Sequence, residues 1–179
     1  MTRLFAALAL PPALRTTLSL LRSGIPGARW IDAEGLHLTL RFIGEVDGPA
    51  EADIASALQM ICAKSFPVSL EGVGQFGDKK PHTLFAGVRP TEPLLRLVAK
   101  IEQVLQRAGL PPETRRYTPH VTLARLKEVA PARVASYIAE NNLFHAEAFT
   151  PEDFVLYSSH LGRQGAHYRL EAAFPLDPV

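Results

Sequence analysis

Residues 35 to 44 read GLHLTLRFIG, and residues 118 to 127 read TPHVTLARLK. Each stretch holds His-x-Thr-x inside an apolar run with the two-residue alternation of a β-strand. Alternate strand residues face the same side, so His37 and Thr39 point one way while Leu38 and Leu40 point into the packing layer behind. His120 and Thr122 stand in the same relation to Val121 and Leu123. Each strand therefore carries an imidazole and a hydroxyl about 7 Å apart on one face. Such a face is not core unless its polar groups find partners. With six histidines and ten threonines in 179 residues, chance supplies roughly one third of a His-x-Thr match. One motif alone reads as a histidine bonded to a core carbonyl; two in matching contexts read as a site.

Working outward, TRLFAALAL (2–10) reads as a strand and PPALRTTLSLLRSG (11–24) as a helix opened by proline and closed by Gly24. After the first motif strand, PAEADIASALQMICAKS (49–65) has helical spacing, with Ile54, Leu58 and Ile61 or Cys62 on one face. FPVSLEGVGQFG and HTLFAGVRP come next as strand-like segments around the polar loop DKKP. EPLLRLVAKIEQVLQRAG (92–109) is the clearest helix, ending at Gly109. The second motif strand comes after it, then a helix in PARVASYIAENN. EDFVLYSSHL and AHYRLEAAFPL close the chain as a hairpin turning at GRQG. The order of elements repeats from half to half, as in a diverged duplication. The expected fold is α+β: two pseudo-symmetric lobes with mostly antiparallel sheets flanked by helices, a cleft between them, and residues 1–179 forming one two-lobed unit.

Composition narrows the function classes. Hydrophobic residues make up 47% and charged ones 21%, enough to bury a sizeable core. The single cysteine, Cys62, provides neither an internal disulfide nor a cysteine-built zinc site, which fits a reducing, cytoplasmic setting. The N-terminal apolar stretch is short and interrupted by Pro11-Pro12, unlike a secretory leader, and no run has the length of a membrane span. Nineteen basic side chains against eighteen acidic ones give a net charge of +1. A protein that tracks a long duplex would be more basic, so a nucleic-acid partner would be met at a local feature such as a strand end.

Two histidines and two threonines suit one chemistry best. No His-x-His or His-x-x-x-His spacing supports a metal, zinc would need a third protein ligand, and no nucleophile-elbow glycine pattern occurs. Two imidazoles straddling one centre suit general acid–base catalysis, because imidazole titrates near neutrality. Hydroxyls can hold phosphoryl oxygens in line without adding charge. A phosphodiester is the substrate these groups fit.

In these residues the chain resembles the two-histidine phosphoesterases, and among them the bacterial and archaeal RNA 2′,3′-cyclic phosphodiesterases, once called 2′–5′ RNA ligases. The resemblance runs almost end to end through RLFAALAL, WIDAEGLHLTLRFIGEV, PHTLFAGV, YTPHVTLARLK and FVLYSSHLGRQGAHYRLEAAFPL. It implies hydrolysis of an RNA-terminal 2′,3′-cyclic phosphate to a 2′-phosphate without metal or other cofactor. It implies that His37 is the proton donor, that His120 is the proton acceptor, and that Thr39 and Thr122 bind the phosphate. It also implies a phosphate-binding role for Arg125. Strict alternation puts that residue on the face opposite His120, so the role requires a bulge or a strand end. The expected partner is an RNA 3′ end or nucleotide bearing the cyclic phosphate, with no membrane and no obligate protein partner, the chain acting as a monomer. In vitro 2′–5′ ligation is the expected reverse reaction. Two alternatives are a nucleotide or RNA-end binding module and an esterase for another cyclic or 2′–5′-linked nucleotide.

Other residues carry weaker expectations. Arg41 is expected on the His37 face, as a phosphate contact or a structural ion pair. Phe5, Phe42 and Tyr157 are candidates for base stacking, with core packing the default for strand aromatics. RRY (115–117) and DKK (78–80) read as solvated loops, and His82, His145, His160 and His167 as structural or surface residues.

Overall fold

A computed structural model describes residues 1–162 and 165–178. Its strands are β1 (Thr2–Ala9), β2 (Arg29–Trp30), β3 (His37–Val46), β4 (Leu70–Phe76), β5 (Thr83–Val88), β6 (His120–Arg125), β7 (Asp153–Gly162) and β8 (Gly165–Pro175). Its helices are α1 (Pro12–Ser19), α2 (Gly48–Gln59), α3 (Glu92–Arg107) and α4 (Pro131–Asn141). A 3₁₀ turn at Ala33–Gly35 leads into β3. The expected α+β class with antiparallel strands holds. The middle of the expected GRQG turn, residues 163 and 164, lies outside the described residues.

Each helix carries proline in its first turn, where a missing N–H costs nothing. In α2, Asp47 adds a side-chain cap to the Ala50 amide at 2.9 Å. In α3, Leu94, Leu97, Ile101 and Leu105 recur at helical spacing and are all buried. Burying each such side chain contributes about 1.5–3 kcal/mol. Gly109, at φ 95°, turns the chain away just past the helix end. The first two helices are shorter than their sequence pattern, stopping at Ser19 and Gln59.

The strands form one sheet in the order β4-β5-β6-β3-β1-β7-β8, with β2 pairing β6. The hairpin that closes each half adds to the other half's sheet: β5 of the β4–β5 pair joins β6, and β7 of the β7–β8 pair joins β1. The halves are thereby interlocked, and the two half-sheets join through β3 and β6 at the antiparallel pair Leu38 with Val121. Both motif strands therefore sit side by side at the middle of the sheet. All four helices bury their apolar residues in one cluster that includes Leu38, Leu40, Val121 and Leu123. Among the described residues, the buried apolar cluster of the other face is Phe5, Ala7 and Val155, flanked by Tyr157 and Tyr168. This helix-free face is where the histidines point. Among the described residues no helix is long and apolar enough to cross a membrane.

Candidate functional site

The pairing of Leu38 with Val121, both fully buried, fixes the site. Their neighbours His37, Thr39, His120 and Thr122 alternate to the opposite face, and on antiparallel strands each histidine lies alongside the other motif's threonine. No hydrogen bond within the described residues occupies the Thr39 or Thr122 hydroxyl, so both are free to donate.

Both strands then break phase at the same point. Where β6 meets β5, Thr122 faces Phe85 and Ala124 faces Leu84, leaving Leu123 unpaired between them. Where β3 meets β1, Thr39 faces Ala7 and Arg41 faces Ala6, leaving Leu40 unpaired. Each is a β-bulge at the leucine that closes His-x-Thr-Leu, and each flips the faces of the residues beyond it. The bulge in β6 returns Arg125 to the histidine face, meeting the condition that alternation set for it. The bulge in β3 corrects the expectation for Arg41. That side chain goes to the helix face, where it pairs with Glu102 of α3 at 2.5 Å and donates to the Pro111 carbonyl at 2.9 Å. Phe42 takes the place on the histidine face and is 49% exposed. The position that holds a cation in one half thus holds an aromatic ring in the other.

The two imidazoles are held alike. His37 Nδ1 lies 2.7 Å from the Gly35 carbonyl and His120 Nδ1 2.6 Å from the Thr118 carbonyl. A carbonyl only accepts, so each Nδ1 carries the proton and each Nε2 is left for chemistry on the open face. Aromatic rings wall both histidines. Phe5 lies 4.8 Å from His37 and Tyr168 meets it edge-on at 5.0 Å; Phe76 meets His120 edge-on at 4.8 Å and Phe85 lies 5.3 Å away. Phe85 can lie there because Gly74 faces it across the sheet. A Cβ at Gly74 would sit 2.7 Å from the ring's Cζ. Gly74→Ala is therefore expected to push Phe85 against His120. It should cost about 1–3 kcal/mol of stability and about tenfold to a hundredfold in turnover. Paired measurements of the melting midpoint and kcat check this, and unchanged kcat would remove Phe85 from any part in setting the histidine.

Burial lowers both imidazole pKa values. For His37, burial outweighs the bond to Gly35, and the charges of His120 and Arg125 add to it, leaving the pKa at about 4. For His120, burial also dominates, opposed by the Thr118 bond and reinforced by Arg125. Arg125 is thus within electrostatic reach of both rings. Its Nη1 donates to the buried Thr83 Oγ1 at 3.0 Å, and that hydroxyl is also hydrogen-bonded with His82 Nδ1 at 3.0 Å.

Three groups at the site carried no expectation of this kind. Tyr117, taken with the solvated RRY loop, is half-buried, and its hydroxyl donates to the Thr39 carbonyl at 3.0 Å, tying the approach to β6 onto β3. Burial pushes its phenol pKa up. Thr83 fixes the arginine. Tyr168 reaches His37 from the edge strand β8. The first two have a sequence signal only in hindsight, as neighbours of a motif; Tyr168 is distant in the chain and has none. Phe5, 2% exposed behind His37, packs rather than presenting a face for stacking. Arg115 pairs with Glu113. His145 and His160 make local bonds, and His167 is exposed. Among the described residues no group of three His, Cys, Asp or Glu side chains forms a metal cluster.

Paired His-x-Thr strands meeting on the open face of an antiparallel sheet define a two-histidine site. The chain belongs to the 2′-5′ RNA ligase superfamily, whose family model matches residues 10–163. It is 37% identical over 111 residues to an RNA 2′,3′-cyclic phosphodiesterase of Aeropyrum pernix, covering 61% of this chain and 62% of that protein. A protein of the same name from Geobacillus stearothermophilus is 30% identical over 161 residues, covering 86% of this chain and 49% of that protein. The chain therefore spans about half to three fifths of those two relatives. The crystal structure of Escherichia coli LigT in apo form superposes with a TM-score of 0.81 at 25% identity, covering 98% of each chain.

Proposed function

We propose that this protein hydrolyses RNA-terminal 2′,3′-cyclic phosphates to 2′-phosphates by paired-histidine acid–base catalysis within one two-lobed unit, residues 1–179. The observation that carries the proposal is the matched restraint of the two rings. Each Nδ1 is bonded to a carbonyl two residues upstream, and each Nε2 is freed on one face beside Arg125. The names of the relatives give the same activity.

In this reading the phosphate lies between the rings, with its oxygens on Thr39, Thr122 and Arg125. His120 Nε2 takes a proton from water as the water oxygen bonds to phosphorus. The P–O3′ bond breaks, and His37 Nε2–H⁺ gives its proton to the departing oxygen, leaving a 3′-hydroxyl and a 2′-phosphate. The roles suit the electrostatics. His37, lowered to about 4, is the stronger acid once protonated; His120 is the stronger base. The reactive form is the minor one of the two singly protonated forms, and an anionic phosphodiester beside His37 favours it. A 5′-hydroxyl in place of water would form a 2′–5′ linkage by the same steps.

The test is an RNA oligonucleotide ending in a 2′,3′-cyclic phosphate, incubated with the protein in excess chelator, with the end group identified by mass and by NMR. A 2′-phosphate is the expected product; an unchanged end, bound or not, would favour a binding module instead. The pH profile tests the pair itself. Activity requires one protonated and one neutral ring, and lowered pKa values mean that the protons leave earlier as pH rises. The kcat/KM profile is therefore expected to be a bell with both limbs below the ordinary imidazole value of 6.5. The kcat profile of the complex should lie at higher pH, because the bound anion stabilises imidazolium. A kcat/KM plateau persisting above pH 7 would mean that other groups titrate.

A further inference from the structure

The β7–β8 hairpin does more than close the edge of the sheet. Strand order puts β8 three strands from β3, yet Tyr168 of β8 lies against the imidazole of β3. Its ring meets His37 edge-on, centroids 5.0 Å apart at 83°, and meets Phe5 edge-on at 5.2 Å and 82°. Its Cε2 lies 3.7 Å from where a Cβ on Gly35 would stand, and Gly35 supplies the carbonyl that holds His37 Nδ1. The twisted hairpin therefore curls over the helix-free face and roofs the His37 half of the site.

The ring is fixed on two sides and its polar end is not. Among the described residues the Tyr168 hydroxyl has no hydrogen-bond partner, in contrast to Tyr117 and Tyr137, whose hydroxyls both donate to backbone carbonyls. Burial raises its pKa, and the nearby Arg125 opposes that rise. The phenol therefore stays protonated as a donor, within the electrostatic field of the guanidinium. The two halves are also unequal here. His120 is walled by the apolar side chains of Phe76 and Phe85, whereas His37 is walled by Phe5 and Tyr168, with Tyr157 farther off at 6.3 Å.

We propose that Tyr168 is a further catalytic residue, its hydroxyl donating to the phosphoryl oxygen that Arg125 also binds, on the His37 side of the phosphorus. This deepens the phosphodiesterase reading and rests on it for the identity of the substrate. The hydroxyl adds a neutral donor on the His37 side, where the other half has only aromatic rings, so it works with the Arg125–Phe42 difference to orient the phosphate.

Tyr168→Phe keeps the ring, its edge contacts and its volume, and removes only the donor. A hydrogen bond from a neutral donor to a charged acceptor predicts a loss of about tenfold to a hundredfold in kcat/KM on the cyclic-phosphate oligonucleotide. Binding of inorganic phosphate, measured by calorimetry, should weaken several-fold at the same time, with an unchanged melting midpoint. In the unmodified protein carrying ζ-¹³C tyrosine, saturating phosphate should move the Tyr168 resonance. Wild-type kinetics and phosphate affinity in Tyr168→Phe, each within twofold, or an unmoved resonance, would overturn the proposal and leave the ring as packing for His37. The phosphate arm stands apart from the phosphodiesterase reading. Should the wild type leave the cyclic end intact, that reading fails, while phosphate binding still decides whether Tyr168 contacts an anion.

Discussion

Alanine at His120 is expected to lower turnover of a 2′,3′-cyclic phosphate by about 10²–10⁴-fold with little change in fold, and alanine at His37 to do the same. The magnitude reflects the work of each ring. In the proposed mechanism one removes the proton from water and the other supplies one to the departing oxygen. Neither threonine can take over, since a hydroxyl does not titrate near neutrality. The fold tolerates the change because both imidazoles lie on the face without helices, each bonded only to a carbonyl of its own approach segment. The double variant should lose little more than either single one, because the two rings act on a single transfer. Steady-state kinetics with circular dichroism as a control provides the check. Either single variant retaining full activity would exclude acid–base catalysis by the pair.

Arg125→Ala is expected to cost about 10²–10³-fold in kcat/KM, the scale of a preorganised charge on a phosphoryl group. Lysine should recover only part of this. Its point charge lacks the planar fork that lets Arg125 bond Thr83 Oγ1 through one nitrogen and keep others for phosphate. The variant has a second signature. Arg125 lowers the pKa of both His37 and His120, so its removal should raise both, moving the alkaline limb of the kcat/KM profile upward. Imidazole NMR titration measures this directly. Lost activity with unshifted histidines would separate Arg125 from the ring environment and overturn the shared-site geometry.

Much of the site was legible in the chain. The two His-x-Thr pairs, their strand setting and the apolar residues behind them come from alternation alone, because a strand's period is strict and needs no partner to define it. The four helices come from first-turn prolines and apolar spacing, both local effects. The need for a bulge or a strand end at Arg125 was also a consequence of counting. Whether either strand bulges was not legible. A bulge is decided by what a strand pairs with, and HLTLRF and HVTLAR look alike until β1 and β5 are laid beside them. That is why strict counting put both arginines on the wrong face: Arg41 goes to Glu102 on α3, and Arg125 returns to the histidines.

The sequence by itself determined which side chains could do acid–base work and that they came in two matched sets, since both rest on residue type and a period of two. Tertiary structure alone decided that the sets meet at Leu38 and Val121, that each half lends its closing hairpin to the other, and that Tyr168 arrives over His37 from the far edge. These depend on pairings between residues up to 156 positions apart (Arg3 to Ser159), where no local propensity acts and only the burial of the shared core selects the partner.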